Sequence, residues 1–305
     1  MLEYLRSHYP YQPTDEVANA LGVSKGHVHR LASRYKIRKD PEFLQRMRKK
    51  LEAARREWYL SQIPTLKPTH IQEQVIYGSL LGDGSLTTWA PRSVHCSYRE
   101  HFSPKQMSYR RWKEQLLASL GFHITESYHL RSYAHPYFTN LYNHFYENGD
   151  KVLPPDLLPN MNHPIFLATL YMDDGTLSLS HRFSKNKGIV YVHPAIVLYT
   201  QNFTKEENAL LAEHLNRTFE TNFVLAKRTD GHKYVLKLNK VKEVKHFLNI
   251  VRPYVLQIGD LRYKHDIHYR LKMERETFQK RYGEKIQVVL SSSDRSAPFG
   301  KLVRF

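Results

Sequence analysis

The chain predicts an α+β fold of two similar halves behind a small helical module, and three observations carry that prediction. From Ile71 to Leu271, helical and strand-like stretches alternate. Within that region IYGSLLGDGSL (76–86) and LATLYMDDGTL (167–177) repeat one pattern: an apolar helix, small residues on one face, then Asp-Gly. Ahead of it, residues 1–40 hold two short amphipathic helices joined by a glycine-containing turn.

The elements follow in order. Thr14 is placed to cap a helix starting at Asp15, with Val17, Ala18 and Leu21 as its apolar face. Gly22 permits a tight turn, and Ser24 caps a second helix, KGHVHRLASRYKIRK, with Val28 and Leu31 inward. Its other face carries Lys25, His27, His29, Arg30 and Arg34. A basic second helix after a short turn is the helix-turn-helix arrangement that lays a recognition helix in a major groove. A plain helical hairpin packed on the main domain has the same pattern. Residues 41–58, PEFLQRMRKKLEAARREW, read as one long basic helix running into the PTLKPT linker, with Pro64 and Pro68 as the boundary. Further helices are expected at Ile71–Gly82, Lys105–Leu120, Pro136–Glu147, Pro164–Met172, Lys205–Phe219 and Val241–Val251. Strands are expected at Val94–Glu100, His123–Arg131, Val190–Gln201, Phe223–Arg228 and His232–Leu238, the last two flanking a Thr229–Asp230–Gly231 turn. After Leu271 the chain becomes polar and basic, and SSSDRSAP reads as loop. The implied division is a helix-turn-helix module (1–40), a basic helix and linker (41–70), two halves (71–160 and 161–272) and a basic tail (273–305).

Charge points to the partner. Lys and Arg number 46 against 29 Asp and Glu, a net charge of +17 with a pI near 9.7. So basic a balance costs self-repulsion unless a polyanion is the ordinary partner, and nucleic acid is the leading candidate. The single cysteine, Cys96, excludes an intramolecular disulfide framework or a cysteine-based zinc site and suits a cytoplasmic setting. No apolar run approaches the ~20 residues a bilayer span needs, so no membrane partner is expected.

The repeated Asp-Gly is where chemistry is expected. Asp83 and Asp174 are 91 residues apart (174 − 83), each at the C-terminal end of an apolar helix. An acid at that end opposes the helix dipole at about 0.3–1 kcal/mol. One Asp-Gly is a common turn. The same local penalty at matching positions of a repeat marks function, since residues that break a local rule twice need a reason. If Gly78 and Gly82 face Ala168 and Thr169, the helices approach closely and their ends bring the acids together. Two such carboxylates call for cations between them, and hard oxygen ligands favour Mg²⁺.

In its motifs the chain resembles the single-chain LAGLIDADG homing endonucleases. Ile76–Gly84 (IYGSLLGDG) and Leu167–Gly175 (LATLYMDDG) align with the nine-letter motif, placing Asp83 and Asp174 at its metal-binding position. YNHFYENGDKVLPPDLL, LYTQNFTKEENALLAEHL and IVRPYVLQIGDLRYK extend the likeness over roughly Ile71 to Leu271. The resemblance implies αββαββα in each half, with antiparallel sheets forming a saddle in the major groove. It also implies site-specific cleavage of double-stranded DNA, leaving 3′ overhangs, by a monomer. Asp83 and Asp174, with the backbone carbonyls of Gly82 and Asp173, would hold two or more Mg²⁺ ions, replaceable by Mn²⁺. Lys151 (GDKVLPP) and Lys264 (RYKHD) match the basic residues near the acids; either alone also reads as surface charge. Glu100 and Gln201, on strands after the motif helices, are candidates for contact with metal-bound water, or else ordinary strand polar residues. Asp173 is expected to turn away from the metals and bond within its own half. Arg92, Arg99, Arg131, Lys185, Lys187, Lys227, Arg228 and Lys237 are candidate DNA contacts, as are Lys25, His27, Arg30 and Arg34 of the leading module.

Departures from the family pattern are Thr169 in place of a small glycine, Leu81 in place of an acid, and the leading helix-turn-helix. Two other readings share the sequence features: an RNA maturase that binds the intron containing its own gene, and a non-catalytic transcription regulator. Retention of both acids and the N-terminal place of the helix-turn-helix argue against the regulator.

Overall fold

The structure, a computed structural model, describes residues 1–88, 93–228, 233–283 and 286–291, the side chains of residues 59, 60 and 185 excepted. The chain divides into two units, Met1–Thr65 and Leu66–Phe305.

In the first unit, α1 (Leu2–His8), α2 (Thr14–Ala20) and α3 (Lys25–Arg34) close around Leu5, Tyr9, Val17, Ala18, Val28 and Ala32. Ser24 caps α3 by accepting from the His27 N–H, and Gly22 takes the positive φ (+65°) of the turn before it. Thr14 is the first residue of α2 rather than its cap; Pro13 precedes it, and no side chain caps that helix. α4 (Pro41–Gln62) starts from Asp40, whose Oδ1 accepts the Phe43 N–H.

The second unit begins with α5 (His70–Leu81), β1 (Ser85–Thr88), β2 (Cys96–His101), α6 (Met107–Leu117), β3 (His123–Ile124), β4 (His129–Arg131) and α7 (Pro136–Phe145). A short hairpin, β5 (Tyr146–Glu147) and β6 (Asp150–Lys151), follows. Then come α8 (Pro164–Asp174), β7 (Gly175–Ser184), β8 (Ile189–Leu198), α9 (Lys205–Phe219), β9 (Val224–Lys227), β10 (Tyr234–Leu238) and α10 (Val241–Val255). Each half therefore runs αββαββα, with antiparallel sheets ordered β1-β2-β4-β3 and β7-β8-β10-β9. The chain continues through α11 (Arg262–His265) and α12 (Ile267–Tyr282) to β11 (Gln287–Leu290), which pairs parallel with β8.

α5 and α8 are apolar nearly all round and buried nearly all round, as such helices must be. They meet at their small residues. A Cβ on Gly78 would come within 2.6 Å of the Phe166 carbonyl oxygen and 2.9 Å of the Thr169 Cβ; one on Gly82 would come within 2.6 Å of the Asp173 Cβ. Since 169 − 78 = 173 − 82 = 91, each glycine faces its own counterpart in the repeat, the signature of contact across a two-fold axis. The expected facing of Gly82 with Ala168 or Thr169 is thereby corrected. Thr169 fits because its Oγ1 turns back to donate to the Ile165 carbonyl at 2.8 Å.

Several elements differ from expectation. The 123–131 strand is a hairpin of two, turned at Tyr128 with φ +56°. β8 ends at Leu198, so Gln201 lies in the turn beyond it. β1 and β7 were not foreseen: β1 has only four residues and β7 interleaves Gly and Ser among its apolar positions, and pairing with β2 and β8 supplies the order. Beyond Leu271, α12 continues to Tyr282 and β11 packs Val288 beside Val190 and Val192, where polarity had suggested only a tail. The Thr229–Asp230–Gly231 turn lies outside the described residues, although β9 and β10 pair antiparallel on either side of it.

Candidate active site

Asp174 is the last residue of α8, and Asp83 stands two residues beyond α5. Because α5 and α8 cross on the two-fold axis, both acids arrive at one end of the helix pair. Burial, then Asp83, then Asp173 push the Asp174 carboxyl up to about 7, against the pull of Lys151 and Lys264. Among the described residues, no hydrogen bond or ion pair reaches that carboxyl.

Asp83 is held differently. The Arg110 guanidinium donates to its Oδ2 at 2.7 Å and lies equally close, 2.7 Å, to Glu100 Oε1. Arg110 also approaches Asp173 Oδ1 at 3.5 Å, while Lys113 Nζ reaches Asp173 at 2.9 Å and Glu100 at 3.0 Å. Arg110, Lys113, Glu100 and the Asp173 carboxylate are all withdrawn from water. Burial works against the Arg110 charge, but Glu100, Asp173 and Asp83 more than offset it and raise its pKa. Asp83, Glu100 and Asp173 each bring a carboxylate oxygen within 4.8 Å of the others, and Arg110 and Lys113 occupy the middle of that trio. Its charge is already answered by side chains.

Lys151 and Lys264 are both largely buried, and that burial lowers the pKa of each, that of Lys264 to about 8, against the pull of the neighbouring acids. Lys151 Nζ donates to the carbonyls of Gly82 (3.0 Å) and Gly84 (2.7 Å); Lys264 Nζ donates to those of Met172 (2.5 Å) and Tyr171 (3.3 Å). Lys264 thus grips the last turn of α8, where carbonyls lack intrahelical partners, and Lys151 grips the backbone just past α5, on either side of Asp83. The β5–β6 turn delivers Lys151: Asn148 and Gly149 both take positive φ, as a two-residue hairpin turn requires. That Asn-Gly was a legible signal.

The other expected residues are placed as follows. Asp173 bonds across the helix interface to α6 of the first half, not within its own, because the two-fold axis presses it past Gly82. The Gly82 carbonyl is engaged by Lys151. Glu100 is inside the Arg110–Lys113 cluster, with the Tyr98 hydroxyl donating to it at 2.6 Å. The side-chain Oε1 of Gln201 is buried with no hydrogen-bond partner among the described residues. Arg99, Arg131 and Lys237 lie on strands, Lys227 ends β9 with Arg228 just after it, and Lys187 lies in a turn between β7 and β8. Arg92 and the side chain of Lys185 fall outside what the structure describes. In the first unit Lys25 pairs with Asp15 at 3.5 Å, and Arg30 and Arg34 are exposed while His27 is half-buried. Arg110 and Lys113 were missed by sequence reasoning. Their spacing of three, beside the apolar stripe of Tyr109, Trp112 and Leu117, was the available sign that they face inward.

The donor set suits a hard divalent cation. Asp174 is a largely buried acid that makes no hydrogen bond or direct ion pair among the described residues, next to Asp83, and a cation bound between them would offset the burial and repulsion that raise it.

Comparison with known proteins gives the same direction. The family model described as LAGLIDADG DNA endonuclease family matches residues 73–247. A probable intron-encoded endonuclease 1 of Wickerhamomyces canadensis is 29% identical over 220 residues, 68% of this chain and 87% of that protein. An uncharacterised protein of Methanocaldococcus jannaschii is 30% identical over 148 residues, 48% of this chain and 49% of that one. The homing endonuclease I-WcaI, solved bound to its DNA recognition sequence, superposes with a TM-score of 0.53 at 25% identity, covering 68% of this chain and 90% of that one.

Proposed function

From the premise that the chain belongs to the LAGLIDADG DNA endonuclease family, we propose that it cleaves both strands of one long DNA site by divalent-metal-dependent phosphodiester hydrolysis. The observation that carries the reading is the pair Asp83 and Asp174, set at equivalent helix ends on a two-fold axis, with the Asp174 carboxyl making no hydrogen bond or direct ion pair among the described residues. A single chain supplies both acids, so a monomer suffices. Mg²⁺, with Mn²⁺ as a substitute, is the cofactor in this reading; when bound it supplies Lewis-acid stabilisation and an activated water. Asp83 and Asp174 hold the ions. Arg110 fixes the Asp83 carboxylate in place. Lys151 and Lys264 set positive charge beside both acids, where it offsets charge developing on a phosphate. The strand-borne cations contact the duplex, cleavage leaves 3′ overhangs, and the basic face of α3 (Lys25, His27, Arg30 and Arg34) adds an accessory contact.

The test is cleavage of a randomised-site plasmid library with Mg²⁺ by wild type and by Asp174→Asn. Wild type is expected to return one long cut sequence, and the variant none while still shifting that DNA on a gel. A variant that cuts at the wild-type rate would overturn the site assignment. Salt-sensitive binding by wild type without any enriched cut would overturn the endonuclease reading itself.

A further inference from the structure

α10 buries Val244, Phe247, Val251 and Val255, and the helix packs against α8 and β8. Beside that buried face, Lys245, Asn249, Arg252 and Leu256 follow one another at spacings of four, three and four, so they line up as one exposed stripe. The stripe is one wall of a cavity of about 530 Å³. Its other wall is the junction of α11 and α12, with His265, Asp266 and His268. Leu248 and Ile267, both buried, close the floor, and Leu256, 55% exposed, is the apolar side. The volume falls within the range of small-ligand sites, about 300–1,000 Å³. No strand contributes to the lining, so the cavity is separate from the strand-borne cations assigned to the duplex above.

The cavity is basic. Lys245, Arg252, His265 and His268 line it against one acid. That acid is already answered: Asp266 accepts the Tyr269 N–H at 2.9 Å and lies 2.9 Å from Arg262 Nη2. Burial lowers the His265 pKa, Asp266 pulls it back, and Arg252 and Arg262 lower it further, so α10 and α11 bring like charge together here. Among the described residues no hydrogen bond or ion pair reaches the Arg252 guanidinium. Gathered positive charge repels itself unless an anion enters, and the guanidinium fork matches a phosphate. A phosphate alone leaves the apolar side and the Asn249 amide without a role. A nucleobase uses both, since it has an apolar face and an edge of hydrogen-bond donors and acceptors.

We propose that this cavity binds a nucleotide, with its phosphate among Lys245, Arg252 and His268 and its base against Leu256 beside the Asn249 amide. The ligand is a nucleoside monophosphate, free or as one unit of a single strand. Such binding uses neither acid of the active site, so it stands or falls apart from the endonuclease reading.

Titration calorimetry of the full chain tests it, using the four ribonucleoside 5′-monophosphates, adenosine, inorganic phosphate and a mixed-sequence single-stranded RNA. The variants are Arg252→Gln and Leu256→Ser; both side chains are exposed, and circular dichroism checks folding. At least one monophosphate is expected to bind about tenfold or more tighter than phosphate or adenosine, because it fills both parts of the cavity. Arg252→Gln should weaken it by about tenfold, and Leu256→Ser should weaken it while leaving phosphate binding unchanged. RNA binding tighter than any monophosphate, and weakened by the same two variants, identifies a single strand as the source. RNA binding no tighter identifies the free nucleotide. Phosphate that binds as tightly as every monophosphate, or no monophosphate binding at all, would overturn the inference. So would nucleotide binding that both variants leave unchanged, since it would then belong elsewhere on a chain of net charge +17.

Discussion

In the first half Asp83 receives the Arg110 guanidinium at 2.7 Å, and Lys113 stands behind it on Glu100 and Asp173. The capping boxes at the start of α6 and α9 align the two halves: Ser103 with Gln106 matches Thr204 with Glu207, an offset of 101. By that offset Leu211 stands in the place of Arg110, His214 in that of Lys113 and Gln201 in that of Glu100. His214 bonds instead to the Met161 carbonyl at 2.8 Å. The second half follows the same chain path without that charged cluster, so among the described residues its acid makes no direct ion pair and feels Lys151 and Lys264 only at longer range, while its neighbour Asp173 crosses to the first half. Backbone symmetry and electrostatic symmetry are separable: the axis is maintained by glycine and threonine packing, whereas charge is shared unequally across it.

That comparison breaks most sharply at Arg110. Arg110→Leu gives the first half the residue of the second and leaves Asp83, Glu100 and Asp173 without their central cation. Uncompensated buried charge of this kind costs about 3–5 kcal/mol, so the urea midpoint of the variant should fall well below that of wild type. A midpoint unchanged by Arg110→Leu would show that the cluster holds nothing together.

The next largest effect separates the two acids by stability. The folded pKa of Asp174, about 7, lies above its ordinary 3.8. The folded state therefore binds more protons than the unfolded state between roughly pH 4 and 7, and stability falls as pH rises through that window. Above pH 7 the penalty is complete, at most about 4 kcal/mol. In EDTA at pH 8, Asp174→Asn should melt several degrees above wild type, and the gain should vanish near pH 4. Asp83→Asn should show no such gain, because it loses the Arg110 bond. Equal thermal shifts for the two variants would erase the asymmetry, and added Mg²⁺ should narrow the gap by stabilising wild type.

The smallest effect concerns the leading unit. Deleting residues 1–40 should weaken DNA binding by about tenfold, in proportion to a few lost phosphate contacts, and flatten its salt dependence while cleavage persists. A folded truncation that no longer cuts would overturn the accessory role of α3.

Local pattern made much of this legible. The apolar runs of α5 and α8, the Ser24 cap and the Asp-Gly repeat rest on short-range rules that a linear chain displays, whereas Lys151 and Lys264 were singled out only by the family resemblance. β1 and β7 escaped, since four residues such as Ser-Leu-Thr-Thr are too short a run to declare a strand until β2 supplies a partner. Arg110 and Lys113 escaped because the one sign they carried, a place beside an apolar stripe, equally suits long cations that lie along a helix with their charge in water. Nothing within α6 says that three carboxylates from other elements will surround it.

The sequence by itself determined that two equivalent acids end two apolar helices 91 residues apart, because periodicity and repetition are properties of the chain. Tertiary structure alone decided which acid is held by a direct ion pair and which, among the described residues, is not. A counter-ion is found through space at 3 Å, and the axis that sets Gly82 against Asp173 also directs that carboxylate to the lysine of the opposite half.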